Sequence, residues 1–291
     1  MQELRITQVA FSIEQVKALA KSMPLMPNIN GLHLKDTNLT DEGFSILLRS
    51  IDEYIRSFKS ISVRGTDNKF GQKSYPYMKK ILQRRVPFQL TALELEGIKI
   101  QPFYPAKLLA LVQRYGLLEK LSLANVKLDI DAFKSLCQYM NKNYSLKDLN
   151  LRHLNFPVRE FAMILPFIAE NRKLQYLNIS GNTLVDNNAD AYDLFNLDAL
   201  NAAYLGTAKA GDDSKKAGGA KKPPNPKDAA PQEKPEKKKK PLKRRNLQKV
   251  TQEYVLEFIK KFILENQSLI QFDLTNTGLD EWGIVELVQL I

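Results

Sequence analysis

Two histidines and one cysteine are all this chain offers as neutral-pH bases, imidazole or thiolate metal ligands, or thiol nucleophiles. His33, Cys137 and His153 show no zinc-site spacing. No Gly-x-x-x-x-Gly-Lys-Ser/Thr or Gly-x-Gly-x-x-Gly loop is present to cradle a phosphate. Carboxylates are plentiful, but Glu94 and Glu96 form the one close pair on a shared strand face. A solvated surface explains that pair better than acid–base catalysis. A lone cysteine makes no disulfide within the chain, which suits a reducing compartment, and Cys137 reads as a small buried helix residue. No catalytic residue, cofactor-binding residue, metal ligand or small-molecule substrate emerges, and the expectation is a protein that is not an enzyme.

The remaining candidate chemistry is charge. Between Gly206 and Lys249 there are 15 Lys and Arg against five Asp and Glu, in a chain whose net charge is +11. The basic character therefore belongs to one segment and the rest is near neutral. That segment carries six prolines, four glycines and almost no large apolar residues, so it is expected to be disordered in isolation. Its candidate polyanion-binding residues are Lys221, Lys222, Lys237, Lys238, Lys239, Lys240, Lys243, Arg244 and Arg245. Asp190 to Leu205, just before it, is apolar enough for a helix. No aromatic residue interleaves the basic run, which argues against base stacking.

The elements that must position these groups follow from a repeat. Leu118-x-x-Leu121-x-Leu123-x-x-Val126-x-Leu128 recurs from Leu146 and again from Leu174, each time 28 residues on. Further copies start at 1, 29, 58, 90 and 269, the copy at 58 being weaker and ending on Asn68. The alternating core of each copy is a half-buried strand, and the stretch after it has helical spacing. Thr40 can cap a helix carrying Phe44, Leu47, Leu48 and Ile51. Ile130, Phe133, Leu136 and Met140 form a second such stripe, and Tyr254, Phe258, Ile259 and Phe262 a third. Asn143, Asn171 and Asn266, each three residues before a strand, are expected as left-handed helix terminators. Gly65, Gly97 and Gly181 share the eighth repeat position, where a turn explains them. The expected fold is an α/β leucine-rich repeat solenoid, since one strand and one helix cannot bury their own apolar stripes but a stack can.

A strand–helix unit of this period resembles the ribonuclease-inhibitor class of leucine-rich repeat proteins over residues 1–184 and 249–291. The resemblance implies a curved horseshoe, parallel strands on the concave side, helices on the convex side, and function by binding other proteins. That class places Asn or Cys at the ninth position, and here only Asn182 complies. Thr37, Thr66 and Thr277 can substitute; Val9, Ile98, Val126 and Leu154 cannot, so backbone groups there need other partners. The organisation expected is repeats over 1–184, an insertion over 185–248 within the seventh repeat, and its helix plus the eighth repeat over 249–291. The repeats run to both ends without polar caps, so a longer array or covering partners are expected.

In this frame the concave partner face carries Arg5, His33, Lys35, Arg64, Glu94, Glu96, Lys120, Asp148, Arg152, Tyr176 and Asp273. Five basic and five acidic side chains across its outward positions make it neutral and mixed, which suits a protein partner better than a nucleic-acid groove. The expectation is an intracellular scaffold or adaptor in a multi-subunit assembly, its basic insertion tethered to an anionic surface. Similarity to leucine-rich repeat subunits of ciliary axonemes favours microtubules and a cytoskeletal location. RNA binding or nuclear import through the Lys/Arg run stands second, and a tolerated insertion that only adds solubility third. Regulation of a small GTPase is a further alternative: the GTPase-activating protein of nuclear transport shares the repeat type, but it has an acidic tail and no arginine or asparagine here is matched to it residue by residue. No secretory signal or span of about 20 apolar residues is seen, and no membrane partner is expected.

Overall fold

The computed structural model describes residues 2–85, 87–115, 117–185 and 252–290. Strands and helices alternate along it: β1 (Glu3–Thr7), α1 (Ile13–Ser22), β2 (Gly31–Lys35), α2 (Asp41–Tyr54), β3 (Ser60–Arg64), β4 (Lys69–Phe70), α3 (Tyr75–Leu82), β5 (Ala92–Glu96), β6 (Lys99–Ile100) and α4 (Tyr104–Tyr115). They continue with β7 (Lys120–Ser122), α5 (Ile130–Lys142), β8 (Asp148–Asn150), α6 (Val158–Ala162), α7 (Leu165–Glu170), β9 (Tyr176–Asn178), α8 (Gln252–Glu265), β10 (Gln271–Asp273) and α9 (Glu281–Val288).

Eight strands, one from each repeat, form a parallel sheet in chain order, β1-β2-β3-β5-β7-β8-β9-β10. The pairing keeps the repeat frame without a slip: Leu32 lies beside Ile61, Ile61 beside Leu93, Leu93 beside Leu121 and Leu121 beside Leu149. A one-residue slip would turn every buried leucine to solvent, so the apolar alternation itself specifies the register. β9 and β10 pair directly, Leu177 beside Phe272, although 95 residues separate them. A short second ladder, β4 with β6, runs parallel where two repeats turn towards their helices.

The core is the seam between sheet and helices. Leu32, Leu34, Ile61, Val63, Leu93, Leu95, Leu121, Leu123, Leu149, Leu151, Leu177 and Ile179 are buried, each worth about 1.5–3 kcal/mol. The first and last strands have one neighbour each, and their Leu4, Ile6 and Phe272, with Leu274 just past the last strand, are only half-buried. Helix starts are encoded locally. Ser12 and Gln15 make a reciprocal capping box, while Thr40, Asp129 and Asp280 accept from the N–H groups of Gly43, Ala132 and Gly283. The sixth repeat breaks its helix into α6 and α7 where Pro166, lacking an N–H, takes a first-turn position. Arg84, from the third repeat, donates to the carbonyls of Ile51, Asp52 and Ile55 and so closes the end of α2.

The eighth repeat position is left-handed in all eight repeats: Gln8, Asp36, Gly65, Gly97, Asn125, His153, Gly181 and Asn276 have φ between 52° and 108°. In the first seven, that residue's N–H donates to a carbonyl of the next repeat at 2.8–3.0 Å; Gly97 to Ala124 and Asn125 to Arg152 are two examples. Asn143 and Asn171 do not take this conformation. They close α5 and α7 with extended backbone, because their side-chain oxygens accept the N–H groups of the next strand's approach, Leu146 and Leu174. Asn266 likewise accepts from Ser268 and donates to Asn171 and Leu174 of the neighbouring repeat.

Asn182 is buried as expected, accepting from Leu154 N–H and donating to the carbonyls of Leu151 and Ile179. Thr37 and Thr277 are buried too. Thr66 is not: it is exposed, and Asn68 two residues on does the work. The Asn68 oxygen accepts from Leu39 N–H at 2.8 Å and Thr37 Oγ1 at 2.9 Å, and its amide donates to Arg64 O at 2.6 Å. Each of these two asparagines reaches back one repeat, so one amide serves two turns of the stack.

Candidate partner-binding face

The third, fifth and seventh repeat positions point away from the helices, giving the sheet an open face. Its centre is an ionic cluster built diagonally across β3, β5, β7 and β8. Arg64 Nη2 lies 2.5 Å from Glu94 Oε2 and 3.7 Å from Glu96 Oε1. Lys120 Nζ lies 3.6 Å from Glu94 and 3.0 Å from Asp148. Arg152 reaches Glu96 Oε2 at 3.7 Å. Ser122 Oγ donates to Glu96 Oε1 at 2.8 Å, and Asn150 Nδ2 approaches it at 3.5 Å. Together with Tyr176, Asn178 and Gln271 these groups line a recess of about 300 Å³.

Glu94 and Glu96 therefore do not lie on a solvated surface. Their side chains are 6% and 11% exposed, against 41% for Arg64, 39% for Lys120 and 48% for Arg152. The reason is packing across strands: long basic chains from both neighbouring sides lie over the short carboxylates, and buried charges persist only when paired. The face is neutral in sum, yet it holds its acids on the floor and its cations on the rim. Burial favours the neutral form of Lys120, but the hydrogen bond to Asp148 and the charges of Glu94 and Asp148 outweigh it, and its pKa is raised.

Other expected face residues stand apart from this centre. At the first edge Arg5 donates to Glu3 at 2.6 Å, and this bond holds the Glu3 carboxyl below its usual range. His33 Nε2 is buried without a hydrogen bond, 3.8 Å from Glu3. Lys35 is exposed and makes no ion pair among the described residues. At the far edge burial pushes the Asp273 carboxyl up, but bonds from Thr275, Ser180 and Asn178 prevail and lower its pKa. His153 sits in its left-handed turn over Gly181, repeats away from His33. Among the described residues no His, Cys, Asp and Glu cluster could hold a metal ion, and no helix is long and apolar enough to cross a membrane. Lys221, Lys222, Lys237, Lys238, Lys239, Lys240, Lys243, Arg244 and Arg245, and the helix expected over Asp190 to Leu205, lie outside the described residues.

Ser122 and Asn150 are the members of the cluster that residue type alone did not single out. A cross-strand rule would have found them: both stand on the fifth-position row beside Glu94, one and two strands away.

No family model matches the chain, and no curated protein matches it. Among solved structures it is similar to the tropomodulin C-terminal domain of Caenorhabditis elegans, with a TM-score of 0.38 and 8% identity over 54% of this chain and 91% of that one. It is also similar to the leiomodin-1 actin-binding site 2, with a TM-score of 0.23 and 11% identity over 71% of this chain and 79% of that one. Both likenesses are partial. The parallel strand–helix repeat rests on this chain's own strand pairing, which is the arrangement of a leucine-rich-repeat-like fold.

Proposed function

We propose that this chain is a non-catalytic adaptor. Its open sheet face docks a protein partner, and its basic segment tethers the pair to an anionic polymer in a cytoskeletal assembly, the ciliary axoneme first among these. The observation that supports docking is the recess: fixed charges from four neighbouring strands, held rigid by the sheet, stand open to solvent beside a part-exposed tyrosine. Preorganised donors of this kind lower the ordering cost of binding. Support for the tether is the concentration of positive charge between Gly206 and Lys249, which attracts polyanions through counterion release.

The full chain and a variant lacking Gly206–Lys249 should be co-sedimented with microtubules, filamentous actin and single-stranded RNA across a salt series. Pelleting with a cytoskeletal polymer that weakens with salt and disappears on deletion supports the tether; unchanged pelleting after deletion removes it. Preferential RNA pelleting would move the reading to a nuclear or ribosomal protein. Docking is tested separately, by comparing partners captured from cells by the parent chain and by Arg152→Glu. Identical recovery of every partner would remove the open face as the docking surface.

A further inference from the structure

We infer that the recess on the open face receives an extended, acidic segment of a protein partner, whose carboxylates are taken by the outward donors of Arg64 and Arg152 in the recess and of Lys35, which lies outside it beside Arg64 on the adjoining strand. This rests on the docking proposed above and names its chemistry. The cations of the cluster are only partly used. Arg64 spends Nη2 on the two floor glutamates and Nε on Ser62, leaving Nη1 without a bond among the described residues. Arg152 offers its floor partner one nitrogen at 3.7 Å, a separation too long for a hydrogen bond. Lys35 has no ion pair among the described residues. The carboxylates of Glu94 and Glu96 are the reverse, covered by their own cations. An incoming ligand therefore meets donors: Arg152 has its guanidinium fork to bind a carboxylate through two parallel bonds, and Arg64 adds the N–H groups of Nη1.

Geometry narrows the ligand further. Arg64 and Arg152 belong to the third and sixth repeats, three strand spacings apart, or roughly 14 Å. An extended chain covers that span in about four residues, with both side chains on one face. Tyr176, 40% exposed, walls the same recess and offers a surface for an apolar neighbour. A nucleic acid fits poorly, because its close-set phosphates would meet a cluster that also holds Glu94, Glu96 and Asp148 and sums to no net charge.

The test uses the full chain and labelled peptides read by fluorescence anisotropy. One peptide carries glutamates four residues apart in a Gly/Ser background; a second carries lysines there. The segment 206–249 will also attract the acidic peptide, so the deciding quantity is the change between variants that all retain it. Arg152→Glu and Lys35→Glu, each checked for an unchanged thermal midpoint, should weaken the glutamate peptide by roughly tenfold, or about 1.4 kcal/mol. Affinity that ignores both substitutions overturns the inference, as does tighter binding of the lysine peptide to the parent chain. Binding of single-stranded RNA that is lost in the same variants overturns it in favour of a nucleic-acid surface. Cellular partners that depend on Arg152 while the glutamate peptide does not leave docking standing and remove only the acidic assignment.

Discussion

Arg64 bonds to Glu94 and lies 3.7 Å from Glu96, so its removal leaves two covered carboxylates with Lys120 and Arg152 as their remaining cations. Arg64→Ala should cost about 2–3 kcal/mol, less than the roughly 3–5 kcal/mol of a fully buried pair, because solvent at the 41% exposed Arg64 screens part of the interaction. Adding Glu94→Gln should restore more than half of that, because the uncompensated charge goes with it. Urea unfolding of the two single variants and the double variant measures the coupling. Cys137 lies at the other extreme. Burial pushes its thiol up to about 12, so essentially no thiolate exists near neutrality. A thiol reagent should modify it only as denaturant unfolds the chain; fast labelling of the native protein would contradict its place in the core. Residue type alone foretold the buried cysteine. It could not foretell the buried glutamates, since carboxylates usually stay in water unless paired.

At the scale of the element, the left-handed eighth position separates two kinds of glycine. A Cβ on Gly65 would come within 2.3 Å of Asp36 Oδ1 and 3.2 Å of the Asp36 backbone, which no rotamer change relieves. A Cβ on Gly97 meets nothing closer than 3.6 Å, and Asn fills the same slot at Asn125 and Asn276. Gly65→Ala should cost about 2 kcal/mol or more, and Gly97→Asn about 0.5 kcal/mol or less, by equilibrium unfolding. Helix ends supply a pH signature. The Gly283 N–H first, then the Gln252 amide, hold Asp280 below its ordinary value where it caps α9. A folded value below the unfolded one contributes stability that is complete above the unfolded pKa near 3.9 and is lost as pH falls through the folded value. Asp280→Asn keeps a cap without the charge, so the acid limb of stability against pH should become shallower. An unchanged acid limb would remove Asp280 from the cause.

Across the whole molecule, β9 and β10 pair in register although a long segment joins them, and Val185 and Gln252 on either side of it are buried. The sheet thus continues in register across the segment. Deleting 206–249 shortens the connection to roughly a third, and a shorter loop loses less entropy on closing, by about 1 kcal/mol. The thermal midpoint should stay level or rise slightly while polyanion binding falls; a collapse of the midpoint would show that the segment belongs to the core.

The sequence alone determined the period, the strand register, the helix cap at Thr40, and the turn role of the glycines at the eighth position. Each depends on neighbours within one repeat, where apolar spacing and hydrogen-bonding side chains act locally. It misplaced the ladder residue of the third repeat, because Thr66 and Asn68 are both able to bond and only the packed turn selects one. It also summed the open face to neutrality. Which charges lie on the floor and which on the rim was decided by tertiary structure, since Glu96 is covered through contacts with Arg64 on one side and Arg152 on the other, two strands beyond. Formal charge is a property of the residue, whereas presented charge depends on what is packed over it.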